Sequence, residues 1–380
     1  MKIAFIQNKG GNYGGVWQVN KTIGEALIKK GHEVRIISIR DDHLNLNLEH
    51  DEKLKVVTIN EKDLWHTYHG VDFKESLKSH HYIELIKRLF HRLRNNFRLK
   101  CDSYKLNKYL DEYNPDFIIT SHYQILDMLS KNKLSKTFHE QHSSLKDAWK
   151  NNSTRKTFLK YKDKIKFIWL CQNTCDYAKE KGLLNSVYLY NPVRFKKKEL
   201  NKKIVENKRL VSIAMFRPEK RLDLMVTMLN KLFSNSKYHD WEALIYGDGP
   251  EFEKVKNLIK TNNIKLMGST DNPKDILSSS SINLNTSSSE GFCLSILEAS
   301  ECGVPTISFD FGESASEQIL DGETGFICQN EDEFMQKLEL LMNDDKLLEK
   351  MSLNTKENNK KYYIENIVND WEKLFVNNKK

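Results

Sequence analysis

The stretch from Ile282 to Glu298 reads INLNTSSSEGFCLSILE and joins an apolar run, a polar loop and a second apolar segment. The run Ile282–Ser289 predicts a buried strand that leads into a loop. A helix is predicted from about Phe292, and it ends where Gly303 suits a left-handed cap and Pro305 cannot continue the hydrogen-bond ladder. Strand, short loop and helix N-terminus form the unit that binds phosphates in α/β proteins.

Two glutamates flank the predicted helix start. The first amides of a helix lack intrahelical partners and carry partial positive charge, so a diphosphate is expected on the amides of Phe292, Cys293 and Leu294. Glu298 lies roughly 9 Å along the axis from the first turn, while Glu290 stays at the tip. The pair is therefore placed to bind hydroxyls on both sides of a diphosphate, as in a nucleotide sugar. Taken alone, the two glutamates have an alternative interpretation as solvated charges.

The passage from Ser288 to Phe326, SSEGFCLSILEASECGVPTISFDFGESASEQILDGETGF, resembles the retaining GT-B glycosyltransferases of the family-4 type, which carry a Glu, seven residues, Glu signature. The segments MKIAFI, GGNYGGVWQV, EALIKKGHEVRII, RPEKRLDLM, IYGDGPE and LMGST follow in the family's order. The resemblance spans nearly all the chain. It implies two Rossmann-like parallel-sheet domains facing across a cleft, with a C-terminal helix that crosses back to the first domain.

Composition and strand pattern also predict two α/β domains. A chain of 380 residues is too long for one ordinary domain, and strand-like runs alternate with helical patterns. We predict an acceptor-binding domain over 1–192, a nucleotide-sugar-binding domain over 205–358 and a returning helix over 359–380. The predicted strands are Lys2–Gln7, Glu33–Ile39, Lys55–Ile59, Asp116–Thr120, Lys136–His139, Phe167–Cys171, Ser186–Tyr190, Leu210–Ala214, Trp241–Tyr246, Ile264–Met267, Ile282–Thr286 and Thr306–Phe309.

The sequence contains neither a bilayer-length apolar run nor a signal peptide, so a cytoplasmic protein is expected. Its six cysteines lack zinc-like spacing and predict reduced thiols. Residues 1–190 hold 33 Lys and Arg against 22 Asp and Glu, whereas residues 191–380 hold 27 against 30. Within the basic half, Tyr82 to Lys100 predicts an amphipathic basic helix. Such a helix suits the anionic inner face of a membrane, or its apolar stripe packs on the first sheet. No nucleic-acid module accompanies it, so nucleic acid is not an expected partner.

The resemblance also implies cations that neutralise the departing diphosphate, an Arg and a Lys five residues later. Lys220 matches the lysine, but Met215 stands where the arginine is expected. Arg217 points the same way as Met215 along an extended strand and is the candidate substitute. Without it, the donor would be held with one cation fewer.

On the first domain, the glycines of GGNYGG follow strand one. Gly15 best matches the family's glycine pair, which lets backbone approach a ligand; a flexible turn is the alternative. His142 resembles the histidine that reaches the donor sugar, and His139 is the rival candidate.

No Asp-x-Asp motif is present, so no metal or other cofactor is expected, and Lys220, Arg217 and helix amides must stabilise the leaving UDP. By resemblance, Glu290 binds the donor sugar, Glu298 binds the ribose, and the acceptor hydroxyl attacks from the face that UDP leaves, with retention. We therefore predict transfer from a UDP-sugar to a cell-envelope glycan, a teichoic-acid-like polymer or a polyprenyl-linked acceptor.

Two other classes remain open. A nicotinamide oxidoreductase requires GxGxxG after its first strand, which GGNYGG does not match. A catalytically inactive GT-B subunit that stabilises another glycosyltransferase is consistent with Met215, although both signature glutamates are present.

Overall fold

The computed structural model describes residues 1–10, 14–41, 50–60, 82–197 and 203–379; the side chains of 9, 10, 41 and 82–96 are not described. By compactness, unit 1 comprises Met1–Glu140 and Lys156–Phe167 with the final two residues, and unit 2 comprises Gln141–Arg155 and Ile168–Asn378. The domain bounds predicted from the sequence follow the motifs rather than this packing, and they stay predictions. None of the described helices is long and apolar enough to cross a bilayer.

The first sheet contains seven parallel strands. Their bounds are β1 Lys2–Gly10, β2 Glu33–Asp41, β3 Lys55–Asn60, β4 Phe117–Thr120, β5 Thr137–Glu140, β6 Lys166–Trp169 and β7 Ser186–Tyr188. The strand order is β3-β2-β1-β4-β5-β6-β7, so the chain changes direction across the sheet between β1 and β4. The helices of this half are α1 Gly15–Lys29, α2 Tyr82–Tyr113, α3 Tyr123–Leu126, α4 Leu145–Lys150, α5 Asn152–Tyr161 and α6 Gln172–Glu180.

The second sheet has six parallel strands with its own change of direction. Its strands are β8 Arg209–Ile213, β9 Glu242–Tyr246, β10 Ile264–Gly268, β11 Ile282–Asn285, β12 Thr306–Phe309 and β13 Gly325–Cys328. The order is β10-β9-β8-β11-β12-β13. The helices are α7 Leu222–Phe233, α8 Phe252–Lys256, α9 Pro273–Ser278, α10 Leu294–Glu301, α11 Ala315–Gln318, α12 Glu331–Asn343, α13 Asp345–Asn359 and α14 Ile364–Val376, with 3-10 turns at Lys131–Lys136, Pro218–Lys220, Ser236–Tyr238 and Lys360–Tyr362.

These two sheets confirm the predicted fold class, and every predicted strand is present. Residues from α7, α12 and α13 pack against β8, β9, β11 and β12 in one large core, because both faces of a parallel sheet are buried. The sequence did not identify β13, whose four residues begin with a glycine and give too short a pattern to recognise.

Candidate active site

Most of the predicted site residues follow two adjacent strands of the second sheet. In that sheet β8 pairs with β11, and the chain leaves the two strands toward opposite sides. The loop after β8 carries Lys220, and the loop after β11 carries Glu290. Ligands of open α/β sheets bind at this point, beyond the carboxyl ends of the strands.

Hydrogen bonds tie these two loops together. The Thr286 Oγ1 donates to the Lys220 carbonyl at 2.8 Å, and the Ser288 amide donates to the Glu219 carbonyl at 2.8 Å. Arg221, which has a left-handed backbone with φ of 48°, donates through Nε to the Thr286 carbonyl at 2.7 Å. Its guanidinium also stacks on Phe309. Arg221 therefore organises the loops, and Lys220 is held facing the second loop.

Lys220 and Glu290 form an ion pair, as Nζ of the lysine donates to Oε1 of the glutamate. Their side chains are 20% and 14% exposed. Burial by itself lowers the pKa of Lys220, but the charge of Glu290 and their hydrogen bond outweigh burial, so the pKa lies above its ordinary value. Ser287 Oγ donates to the same Glu290 oxygen at 2.8 Å. Sequence reasoning did not select Ser287, because a serine within TSSS carries no signal of its own.

The helix after this loop begins two residues later than predicted. Cys293 is the N-cap, with φ of −79° and ψ of 106°, and α10 starts at Leu294. The Cys293 amide donates to Gln318 Oε1 at 3.0 Å, and Gln318 Nε2 donates to the Cys293 carbonyl at 2.9 Å. This pair occupies the Cys293 amide in the folded chain, and the predicted role of Cys293 as a phosphate ligand stays a prediction. Phe292 lies just before the cap with a buried ring, so the helix N-terminus is presented by Leu294 and the residues after it.

Glu298 is 2% exposed and lies one turn into α10. Arg194 donates through Nε to its Oε1, which makes a charge-assisted ion pair. Sequence reasoning did not identify Arg194. It lies in the segment that links the two halves, and no periodicity shows which helix such a segment contacts. The alternative interpretation of Glu298 as a solvated helix charge is wrong, because its side chain is buried.

The position of Met215 and Arg217 follows from the glycines of IYGDGPE. Phe216 is fully buried between them, with its amide donating to the Asp248 carbonyl at 2.9 Å. Gly247 has φ of 133°, and a Cβ there would lie 1.8 Å from the Ala214 carbonyl oxygen. Met215, 47% exposed, and Arg217 both have exposed side chains. Within the described chain, no acidic group pairs with Arg217.

The two histidine candidates differ in environment. His139 is fully buried on β5, its Nδ1 lies 3.0 Å from Thr120 Oγ1, and its ring packs against Phe158. These contacts give His139 a structural role. His142 is half-buried, and its carbonyl oxygen lies so near Gly291 that a Cβ at that glycine would approach it to 2.1 Å. The backbone of His142 therefore contacts the loop that carries Glu290.

Gly15 is the first residue of α1, after β1 in unit 1. Gly14 before it has an ordinary φ of −65°, and a Cβ there would meet no atom within 4 Å. Gly11 lies outside the described residues. The role predicted for Gly15 stays a prediction. Among described residues, no group of three or more His, Cys, Asp or Glu side chains is arranged to hold a metal ion.

Comparisons with known proteins match this chain to glycosyltransferases. Residues 193–358 match the family described as "Glycosyl transferases group 1". An uncharacterized glycosyltransferase of Haemophilus influenzae is 26% identical over 97% of this chain and 98% of its own length. The chain is a glycosyltransferase with the GT-B fold.

One further sequence relative and one solved structure are also similar to this glycosyltransferase. The poly(glycerol-phosphate) alpha-glucosyltransferase of Bacillus subtilis is 32% identical over 33% of this chain and 20% of its own. The crystal structure of Anabaena HepE in complex with UDP and glucose has a TM-score of 0.75 at 15% identity, covering 99% and 100% of the two chains. The second likeness is one of fold. The region matched by the family includes Lys220, Glu290 and Glu298 of this glycosyltransferase.

Proposed function

We propose that this glycosyltransferase transfers a sugar from a UDP-sugar to a hydroxyl of a cell-envelope acceptor, with retention and without a metal ion. The observation that carries the proposal is the Lys220–Glu290 ion pair at the strand switch point, followed directly by the N-terminus of α10 and the buried Glu298. UDP bound to the structural neighbour HepE supports uracil as the donor base.

The leaving diphosphate is stabilised electrostatically in this proposal. An ammonium has three N–H donors, so Lys220 can keep its bond to Glu290 and also donate to a phosphate oxygen. The amides at the start of α10 and the charge of Arg217 add to this stabilisation. Glu290 accepts from hydroxyls of the donor sugar, and Glu298 accepts from the ribose.

Retention follows if attack and departure share one face of the sugar. The acceptor oxygen forms a bond to the anomeric carbon as the bond from that carbon to the UDP oxygen breaks, and the acceptor proton passes to a diphosphate oxygen. Positive groups of the chain supply the charge that this departure requires, and no covalent enzyme intermediate is needed. His142 is proposed to contact the donor sugar, and Gly15 to let unit 1 backbone approach a ligand.

The proposed acceptor is a glycan or a glycerol-phosphate-like polymer, as for the B. subtilis relative, or a polyprenyl-linked glycan. The basic excess of residues 1–190 favours an anionic acceptor. We further propose a cytoplasmic location with peripheral contact to the membrane through the first part of α2, residues 82–100. Phe97 and Leu99 of this segment are exposed, as a membrane-facing apolar edge requires.

The function is tested with a panel of UDP-glucose, UDP-GlcNAc, UDP-galactose and UDP-GalNAc in EDTA, measuring UDP release and binding. We expect one donor to be turned over, and Glu290→Gln to lower that rate about 100-fold or more, because a preorganised contact to the reacting sugar is lost. Glu219→Gln is the matched control, since its side chain is exposed and only its carbonyl joins the loops. Nuclear magnetic resonance of the product reports its anomeric configuration.

Failure to bind or hydrolyse any UDP-sugar would contradict the enzyme proposal and favour an inactive GT-B subunit, the interpretation that Met215 supports. A fully active Glu290→Gln variant would remove Glu290 from the mechanism. An inverted product would overturn retention alone.

A further inference from the structure

The segment that enters the second half of the chain runs along α10. Within unit 2, the Val193 amide donates to the Tyr362 carbonyl at 2.9 Å. Arg194 then contacts Glu298, and the Lys197 amide donates to Glu301 Oε1 at 2.8 Å. The two glutamates are three residues apart and lie on one face of the helix. Both contacts therefore attach this segment to the same helix face.

The two carboxylates are used differently. Glu301 is fully buried, and both of its oxygens accept hydrogen bonds, one from Lys197 and the other from Asn359 Nδ2 at 3.0 Å. Glu298 accepts from Arg194 through Oε1, and no described donor reaches its Oε2. A carboxylate has two acceptor oxygens, so Glu298 keeps capacity for a ligand that Glu301 has lost.

Arg194 has two effects on Glu298: it compensates the buried charge, and it orients the carboxylate. A buried carboxylate without a cation is strongly destabilised, and the guanidinium supplies that cation. The directed N–H of Nε also fixes the rotation of the carboxylate, so that one oxygen is occupied and the other is held in a defined direction. Arg194 itself is anchored by the buried Val193 before it and is 28% exposed, so ligand or solvent can approach the pair.

We propose that Arg194 is a positioning residue for the donor nucleotide: it orients Glu298 so that the unoccupied oxygen accepts from the ribose diol. This inference rests on the proposed function, because it assumes a ribonucleotide at α10. It makes Arg194 a determinant of the preference for ribose over deoxyribose, although Arg194 does not contact the nucleotide.

The test measures a ribose penalty, defined as the affinity for UDP divided by the affinity for 2′-deoxy-UDP or 3′-deoxy-UDP, whichever ratio is larger, by isothermal titration calorimetry. For the unmodified protein we expect a penalty of about tenfold or more, as for a hydrogen bond to a charged acceptor. In Arg194→Gln the carboxylate is no longer oriented, and the penalty should fall below about threefold. Glu298→Gln should show the same fall. Glu301→Gln is the matched control, expected to lower the melting temperature and leave the penalty unchanged.

Each outcome separates the alternatives. An unchanged penalty in folded Arg194→Gln overturns the inference and leaves the proposed function standing. If UDP binds more weakly to Arg194→Gln while uridine binding and the ribose penalty are unchanged, Arg194 contacts phosphate and the inference is also overturned. If the unmodified protein does not bind UDP, the proposed function fails and takes the inference with it. Should Arg194→Gln not fold, Arg194→Lys keeps the charge without the directed Nε donor, and its penalty must still fall.

Discussion

At the scale of single residues, the candidate site is a set of charged side chains. The partner of each side chain determines whether its charge is compensated within the folded chain. Glu290 is paired with Lys220, and Glu298 with Arg194, so both signature carboxylates are compensated in the folded chain. Arg217 is exposed and has no such partner among the described residues. A cation that no carboxylate of the chain neutralises is available to bind an anionic ligand.

We predict that Arg217→Gln lowers the affinity for UDP about tenfold at low salt and weakens its dependence on ionic strength, because one phosphate-directed charge is lost. Met215→Arg should raise the affinity by restoring a cation at the neighbouring exposed position, whereas Met215→Gln, which adds no charge, should not. Calorimetric titrations at two salt concentrations measure both effects. UDP affinity in Arg217→Gln equal to that of the parent would show that Arg217 lies outside the diphosphate site.

A second prediction concerns pH. The pKa of Lys220 is raised in the folded chain, so the ion pair stabilises the fold fully below the ordinary lysine value of about 10.4 and loses its contribution as pH rises through the folded value. Lys220→Met should cost about 3 kcal/mol of unfolding free energy near neutral pH, because it leaves Glu290 uncompensated, and this difference from the parent should shrink above about pH 10.5.

Urea unfolding of the parent and Lys220→Met across this range gives the comparison. Lys254→Met is the control, since Lys254 pairs with Asp223 and Glu251 at the surface, where such pairs contribute under about 1 kcal/mol. A difference for Lys220→Met that stays constant to pH 11.5 would argue against the pair.

At the scale of elements, the site depends on two loops whose backbones are held by contacts with other loops. The loop 214–217 follows the backbone of 246–251, and the loop 286–290 is tied to 219–221. The close approach of Gly247 to Ala214 leaves no room for a Cβ, and its φ of 133° suits glycine. The placement of Arg217 therefore depends on a glycine in another loop.

Gly247→Ala is expected to cost about 3 kcal/mol or more of unfolding free energy and to weaken UDP binding, because backbone must move at Ala214. Gly182→Ala is the matched control: Gly182 also has a left-handed φ, of 85°, but a Cβ there meets nothing within 4 Å. Its cost should be about 1 kcal/mol, with unchanged UDP binding. Chemical denaturation and calorimetry measure the two quantities. Equal costs for the two variants would show that the clash is relieved cheaply.

The sequence predicts those elements whose hydrophobic pattern and end signals are local. Apolar runs predict the strands. The left-handed Gly303, with φ of 71°, follows the end of α10 as predicted. The start of that helix was wrong by two residues because Gln318, 25 positions later, holds Cys293 in an extended conformation. Arg194 was missed for the same reason. Contacts between distant segments leave no pattern in the local sequence. The spacing from Glu290 to Glu298 is local and can be read directly from the sequence.

At the scale of the whole molecule, two features bear on function: the order of the strands in each sheet and the distribution of charge along the chain. Two parallel sheets, each with its own change of direction, explain why candidate residues cluster after β8 and β11. In the proposed function, the positive first half suits an anionic acceptor or membrane surface, and the nucleotide binds to the neutral-to-acidic second half. The helix α2 was predicted in its first part from its apolar spacing, and the structure extends it from Tyr82 to Tyr113.

Glu301, with Lys197 on one oxygen and Asn359 on the other, has a consequence for dynamics. A buried carboxylate cannot lose one donor without a large rise in free energy, so the segment 193–197, α10 and the end of α13 should open to solvent together. In hydrogen–deuterium exchange these three stretches should share one rate and slow together when UDP is added. Separate rates would show independent opening. The segment that joins the two halves would then report, through its amide exchange, whether the nucleotide is bound.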